Sequence, residues 1–216
     1  MINLPNVTLL ILNPAHGSNK SAKVLNHVMA NINFAEVIHI TDVEPTIPCA
    51  AKFVPIRRLT YNEAQKVQAL ELGKYFNTEF MMHIETDGFP INFNLWNDDF
   101  LKYDYIGAPW PKKSCIGNRQ VGNGGCSIQS KRFREKIESL GNWYRTNTPS
   151  DVWFAQNPYI VKEVEKCNIK YAPVSEAIKF SFEVKVDQYP NWDETKSFAF
   201  HGKFPWSQKY LRIGEN

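Results

Sequence analysis

Four short stretches of this chain hold residues that could do chemistry. In the first, Glu85-Thr86-Asp87-Gly88 closes an apolar run that reads as a strand. Strand side chains alternate with period two, so Glu85 and Asp87 point to one side. Like charges this close repel unless a cation sits between them. A divalent metal is the natural partner and can bridge to a diphosphate. Ligands of α/β sheets bind beyond the carboxyl ends of the strands, where this pair falls. An ordinary solvated turn is the competing explanation.

Val121-Gly122-Asn123-Gly124-Gly125-Cys126 lets backbone approach a ligand closely, or makes a tight hairpin turn. It lacks the Gly-Lys-Ser/Thr ending of a Walker loop and is not the dinucleotide fingerprint. Ser150-Asp151-Val152-Trp153 puts an acid at a helix start. Such an acid caps the helix and favours its dipole, or acts as a general base beside an aromatic that stacks on a sugar. Last, Phe200-His201-Gly202-Lys203 offers an imidazole to an oxygen-rich metal site and an ammonium to a phosphate. Imidazole favours Mn²⁺ over Mg²⁺.

The elements that must position these groups follow a strand–helix alternation. Val7 to Leu12 is an apolar run closed by Asn13-Pro14 and reads as a buried parallel strand. Ser18 or Asn19 caps a helix over Ser21 to Asn31, and Glu36 to Thr41 forms a second strand, completing a βαβ unit. Asp42 to Pro55 is loop, and Thr60 to Glu63 is a capping box for a helix reaching Phe76. Thr78 to Glu85 is the next strand. Gly88 to Trp110 is turn-rich, and Lys112 to Gln120 is a polar, mobile loop. Helices are expected over Lys131 to Ser139 and, broken by Pro158, over Asp151 to Cys167. Late strands are expected at 169–172, 178–182 and 197–200.

Composition bounds the function class. The 216 residues give one large domain or two small ones, and the absence of a linker or repeat favours one. Lys and Arg total 25 against 22 Asp and Glu, a balance too mild for a nucleic-acid stripe. Cys49, Cys115, Cys126 and Cys167 form no C-x-x-C pair, which argues against structural zinc and for reduced thiols in a cytoplasmic protein. No leader, no membrane span and no use of the Asn6-Val7-Thr8 sequon are expected.

Asp87-Gly88-Phe89-Pro90-Ile91-Asn92, the string from Trp96 to Trp110 that ends Tyr103-Asp104-Tyr105-Ile106-Gly107-Ala108-Pro109-Trp110, and Val121 to Ser130 resemble a family of glycosyltransferase-like proteins of bacteria and large DNA viruses. The wider group is the nucleotide-sugar-dependent glycosyltransferases of the type A fold. The resemblance covers roughly Thr8 to Trp206, and His201-Gly-x-x-Pro-Trp206 is similar to a metal-binding segment in another family of that fold.

The resemblance implies an α/β fold: a mixed, mostly parallel sheet flanked by helices, with a Rossmann-like N-terminal half. It implies a nucleotide-binding half over about 1–90 and an acceptor and catalytic half over about 91–216. It implies Asp87, Glu85 and His201 as ligands of Mn²⁺ or Mg²⁺, with Glu85 shared with the ribose and Lys203 on the diphosphate. Asn123, Gly124 and Gly125 would line the sugar pocket, with Trp153 beside it, and Asp151 would be the base. Glu85 stands where the fold usually has Asp, and Ser150 where Glu is usual before the base. A UDP-sugar donor would lie near Asn13 and Thr41, with Arg57 or Arg58 on phosphate. The implied activity is hexosyl transfer to a glycan hydroxyl with inversion, from this chain alone or as a module of a longer polypeptide. A carbohydrate-binding protein, an inactive scaffold of the same fold, and a nucleotidyltransferase are the rival readings.

Overall fold

The computed structural model describes residues 1–14, 17–116 and 119–214. Strand β1 (Ile2–Asn13) lies at the middle of a six-stranded sheet, which is why residues 7–12 are buried on both faces. Helix α1 (Ser18–Met29) returns the chain to β2 (Ile32–Thr41), which pairs parallel with β1. This is the expected βαβ unit, with both strands longer than their apolar runs because pairing extends them. The cap differs: the helix starts after Gly17, whose φ of +77° suits glycine, and no side chain caps it. Asn19 instead exchanges hydrogen bonds with Thr46 and ties down the following loop.

Strand β3 (Lys52–Pro55) adds parallel to β2. Thr60 and Glu63 form the expected capping box of α2 (Tyr61–Leu70), which ends earlier than expected in a 3₁₀ turn over Leu72–Tyr75. Strand β4 (Phe80–Ile84) then pairs parallel with β1, Ile84 opposite Ile11. After β5 (Gly88–Pro90), strands β6 (Tyr105–Gly107) and β7 (Cys126–Ser130) complete the main sheet antiparallel, giving the order β3-β2-β1-β4-β7-β6. Helices α3 (Lys131–Ser139), α4 (Ser150–Gln156) and α5 (Pro158–Glu165) follow, the last two separated at Pro158 as expected.

Two of the late strands are corrected. Residues 169–172 contribute only a bridge between Tyr171 and Tyr105. Residues 174–180 form helix α6 (Val174–Phe180), and only Ser181–Phe182 are strand, β8. The apolar alternation Ile178, Phe180, Phe182 mimics a strand. Pro173 before the helix, a Glu176–Lys179 ion pair one turn apart, and burial of Ala177, Ile178 and Phe180 together favour the helix. Strand β9 (Ala199–His201) sits between β5 and β8 in a small second sheet, ahead of the short α7 (Gln208–Leu211). The loop from Lys112 to Gln120 opens with a 3₁₀ turn, Lys112–Ser114; its residues 117 and 118 lie outside the described ones. Among the described residues no helix is long and apolar enough to cross a membrane.

His39 on β2 is 1% exposed and neither ring nitrogen has a partner. Burial lowers its pKa to about 4 from 6.5. Between those values the unfolded chain binds a proton that the folded chain refuses, so stability should fall as pH drops through that window, by roughly 3 kcal/mol at most. Urea midpoints for wild type and His39→Leu at pH 7 and 4.5 check this. The variant should lose much less than wild type on acidification, and parallel losses would sink the assignment.

A candidate metal and sugar-transfer site at the sheet rim

The main chain leaves the sheet at Ile84 and turns at once. The Glu85 N–H donates to Gly88 O (2.9 Å) and the Gly88 N–H to Glu85 O (3.1 Å). Glu85 and Asp87 are therefore brought together by a closed turn, and not by strand alternation as expected. The turn feeds β5, and β5 pairs antiparallel with β9 so that Gly88 faces His201. A bond from the Gly202 N–H to Asp87 O (2.7 Å) tightens this end. Residues more than a hundred positions apart thus meet: one ligand atom from each of Glu85, Asp87 and His201 lies within 4.8 Å of the others.

Two glycines make room for the imidazole. A Cβ on Gly125 would lie 1.9 Å from His201 Cδ2, and one on Gly88 would lie 2.6 Å from Gly125 O and 2.8 Å from His201 Cδ2. Within the glycine-rich loop Gly125 is a seat for His201, while a Cβ on Gly122 would lie 2.1 Å from that of Ala155 and one on Gly124 3.3 Å from that of Asp151, so close packing and not positive φ explains its composition.

Around these three groups the polar contacts interlock. Glu85 Oε1 accepts from Gln68 Nε2 (3.1 Å), and its Oε2 lies 3.8 Å from His201 Nε2. His201 Nδ1 is 3.2 Å from Glu183 Oε1. Asn123 Nδ2 donates to the other Glu183 oxygen (3.0 Å), and Asn123 Oδ1 accepts from the Gly125 N–H (3.1 Å). Lys203 Nζ lies 3.7 Å from Asp87 Oδ2. Burial opposes charge on Glu85, but the His201 contact outweighs it, helped by His83 and Gln68, and the pKa falls to about 2. Burial likewise opposes charge on His201, yet Glu183 and Glu85 hold its pKa well above 6.5. Glu85 and Glu183 thus favour positive charge between them, carried either by a proton on His201 or by a cation that the neutral imidazole ligates.

Asp151 stands in the first turn of α4. Its Oδ2 accepts from the Gly124 N–H (3.2 Å) and its Oδ1 from the Val152 N–H (2.8 Å). Burial raises its pKa against the pull of these two donors. Pro149, not a side chain, occupies the cap position of α4. Ser150 is bound to α2, its N–H on Gln65 Oε1 (2.8 Å) and its hydroxyl on Gln68 Oε1 (3.2 Å). Tyr61, Gln65, Glu85, Gly124, Gly125, Asp151 and His201 share one cleft of about 190 Å³. A larger hollow of about 520 Å³, bounded by Arg119, Lys162 and Tyr171, touches none of the metal-ligand candidates.

The remaining candidates lie elsewhere. Asn13 and Thr41 are register partners at the carboxyl edge that also ends in Glu85. Thr41 is fully buried with its hydroxyl on Asn13 O (2.8 Å), and Asn13 donates to Ser21 Oγ (2.7 Å). The Thr41 hydroxyl is therefore not open to a nucleotide. Arg57 and Arg58 follow β3 at the same edge, exposed, with Arg57 paired to Glu63 (2.6 Å). Trp153 is corrected: it is 1% exposed, packed edge-on against Tyr144 and donating to Trp143 O (3.2 Å), so it has no face for a sugar. Asn123 is also buried and acts through Glu183 and Gly125.

Glu183 and Gln68 were missed by the sequence reading. Glu183 directly follows the segment misread as a strand. Gln68 had a legible signal: Tyr61, Gln65 and Gln68 fall on one face of a helix of otherwise apolar interior positions.

A family model described as a protein of unknown function (DUF5672) matches residues 65–201, from α2 through the last residue of β9. The chain belongs to that family. The DUF5672 match spans every residue of the rim cluster except Lys203. No curated protein matches the chain. Among solved structures, the galactosyltransferase LgtC in complex with donor and acceptor sugar analogues is similar with a TM-score of 0.57 at 14% identity, covering 99% of this chain and 95% of that one. A glycosyltransferase involved in glycosylation of the major capsid of PBCV-1 is similar with a TM-score of 0.50 at 15% identity, covering 95% and 98%. The apo glycosyltransferase GlyE of Streptococcus pneumoniae gives 0.55 at 9%, covering 98% of this chain and 60% of that one. The fold of this DUF5672 protein is therefore a glycosyltransferase type A fold, as its sequence motifs implied.

Proposed function

We propose that this DUF5672 protein is a metal-dependent glycosyltransferase that moves a hexose from a nucleotide-diphosphate donor, UDP-linked by default, to a hydroxyl of a glycan acceptor. The observation that carries this reading is the convergence of Glu85, Asp87 and His201 within 4.8 Å, two of which, Glu85 and His201, line a cleft together with Asp151. Two carboxylates and an imidazole suit Mn²⁺ or Mg²⁺, and the carboxylate behind the imidazole, Glu183, is the partner a ligating histidine needs to fix its orientation. When bound, the cation neutralises charge on the departing diphosphate.

The chain's own groups have separate tasks. Lys203, beside Asp87, adds positive charge next to the diphosphate. Gln68 holds Glu85 in place, and Glu183 holds His201. Asp151, in the same cleft, receives the proton of the acceptor hydroxyl as its oxygen bonds to the anomeric carbon and the bond to the diphosphate breaks on the opposite face, a single displacement that inverts the anomeric centre. The nucleotide lies in the half up to about residue 90, against the carboxyl edge near Asn13 and Arg57, and the acceptor in the half from about 91. The backbone at Thr41, not its hydroxyl, borders that nucleotide.

Thermal shift with UDP and Mn²⁺ tests the reading, since a ligand bound only to the folded state raises its stability. Wild type should be stabilised by UDP only when Mn²⁺ is present, and Asp87→Ala should lose that stabilisation and the Mn²⁺-dependent hydrolysis of a UDP-sugar. Equal stabilisation of both proteins would remove Asp87 from metal binding.

A further inference from the structure

Among the described residues only six large apolar side chains are strongly exposed, and three of them are aromatic: Tyr61 (67%), Trp143 (46%) and Tyr159 (44%). Tyr61, the first residue of α2, forms part of the cleft wall with Asp151. The start of α2 meets the 143–149 segment directly: Asn62 Nδ2 donates to Asn147 Oδ1. Tyr144 packs edge-on against the buried Trp153 and donates its hydroxyl to Thr148 O (2.7 Å), which fixes its ring. Trp143, next in the chain, lies 4.2 Å from the ring of Tyr159 at an interplanar angle of 35°. The same segment continues through Pro149 and Ser150 to Asp151. Three chain segments, the start of α2, residues 143–144 and the start of α5, thus bring these rings into one aromatic ridge that begins at the cleft wall with Tyr61.

Exposed aromatic rings that group together offer a surface for binding. The rings are interleaved with exposed polar residues, Asn142, Arg145, Thr146 and Asn147. Flat, rigid rings with a polar tip, set among amide and hydroxyl groups, suit a ligand that is apolar on its ring faces and polar at its edges.

We propose that this ridge, Tyr61–Tyr144–Trp143–Tyr159, binds the saccharide chain of an oligosaccharide acceptor and leads its terminal sugar to Asp151. The assignment of the occupant as acceptor rests on the glycosyltransferase reading; the binding of saccharide to the ridge does not. It also relocates the sugar-stacking role from buried Trp153 to the exposed rings that Trp153 supports.

The test is retention of the labelled protein on an array of immobilised glycans, with a chelator present so that the metal cluster takes no part. Wild type should retain oligosaccharides longer than a disaccharide, and Trp143→Ala and Tyr159→Ala should each weaken retention roughly fivefold or more, in line with the loss of one aromatic contact, while melting normally. The proposal is overturned if wild type retains no glycan, or if Trp143→Ala retains glycans as well as wild type does. It is equally overturned if sedimentation shows a dimer that Trp143→Ala abolishes, which would assign the ridge to a second copy of the chain. Because the array needs neither nucleotide nor metal, its failure is distinct from failure of the UDP and Mn²⁺ thermal shift.

Discussion

Asp151→Asn should bind UDP and Mn²⁺ as wild type does and lose transfer by about two to four orders of magnitude, the range a positioned general base contributes. The substitution keeps the volume of the side chain, and the single amide oxygen can keep the Gly124 N–H while the Val152 N–H at the start of α4 loses its acceptor, so the glycine-rich loop should not move. What is lost is the capacity to take a proton. Burial raises the Asp151 pKa, so the wild-type rate should climb with pH on an acid limb above the usual carboxylate range, and the variant should lack that limb. The stability sign differs from the activity sign. A carboxyl whose folded pKa exceeds its unfolded value costs stability once ionised, which offsets the Val152 N–H bond that Asn gives up, so near neutral pH Asp151→Asn should be about as stable as wild type. Transfer rates and UDP calorimetry on both proteins check this. Retained transfer would disqualify Asp151 as base, and loss of UDP binding in step with transfer would make it a structural group.

What could be read from the sequence was local, and what could not was set by pairing at long range. The run from Val7 to Leu12, the Thr60–Glu63 box and the break at Pro158 each carry their signal within a few residues, and each forms as expected. Glu85 and Asp87 were legible as a pair, though the geometry that joins them is a closed turn. His201 was visible as a residue, but its place beside them depends on the β5–β9 pairing across more than a hundred positions, which no local pattern reports. Glu183 was hidden by the Ile178–Phe180–Phe182 alternation: periodicity pointed to a strand, and packing of the same side chains as a helix won. Trp153 was misjudged because an aromatic beside an acid looks the same in sequence whether its ring faces solvent or core. Apolar content announces burial or binding, and only the fold decides which.

The substitution Gly125→Ala should abolish high-affinity Mn²⁺ binding and destabilise the fold, although it adds a single methyl group. That carbon would lie 1.9 Å from Cδ2 and 2.1 Å from Nε2 of His201, far inside contact distance. Neither partner can yield easily. His201 is held from three sides, by Glu85, by Glu183 and by its ladder position opposite Gly88. The loop is held by the Gly125 N–H on Asn123 Oδ1 and by the Gly124 N–H on Asp151. Moving the imidazole removes a metal-ligand candidate and leaves Glu85 and Glu183 without the positive charge between them; moving the loop displaces Asp151. Overpacking of this kind costs about 1–3 kcal/mol. Gly124→Ala is the matched control, because its Cβ would meet Asp151 alone, at 3.3 Å from Cβ and 3.9 Å from Cγ and Oδ2, and would not touch His201. The discriminating protein is the double variant Gly125→Ala with His201→Ala. If the clash is with the imidazole, truncating His201 should restore most of the stability that Gly125→Ala loses, a coupling that appears only between residues in direct contact. Additive destabilisation in urea unfolding would show instead that Gly125 serves the loop alone and that the seat for His201 is made elsewhere.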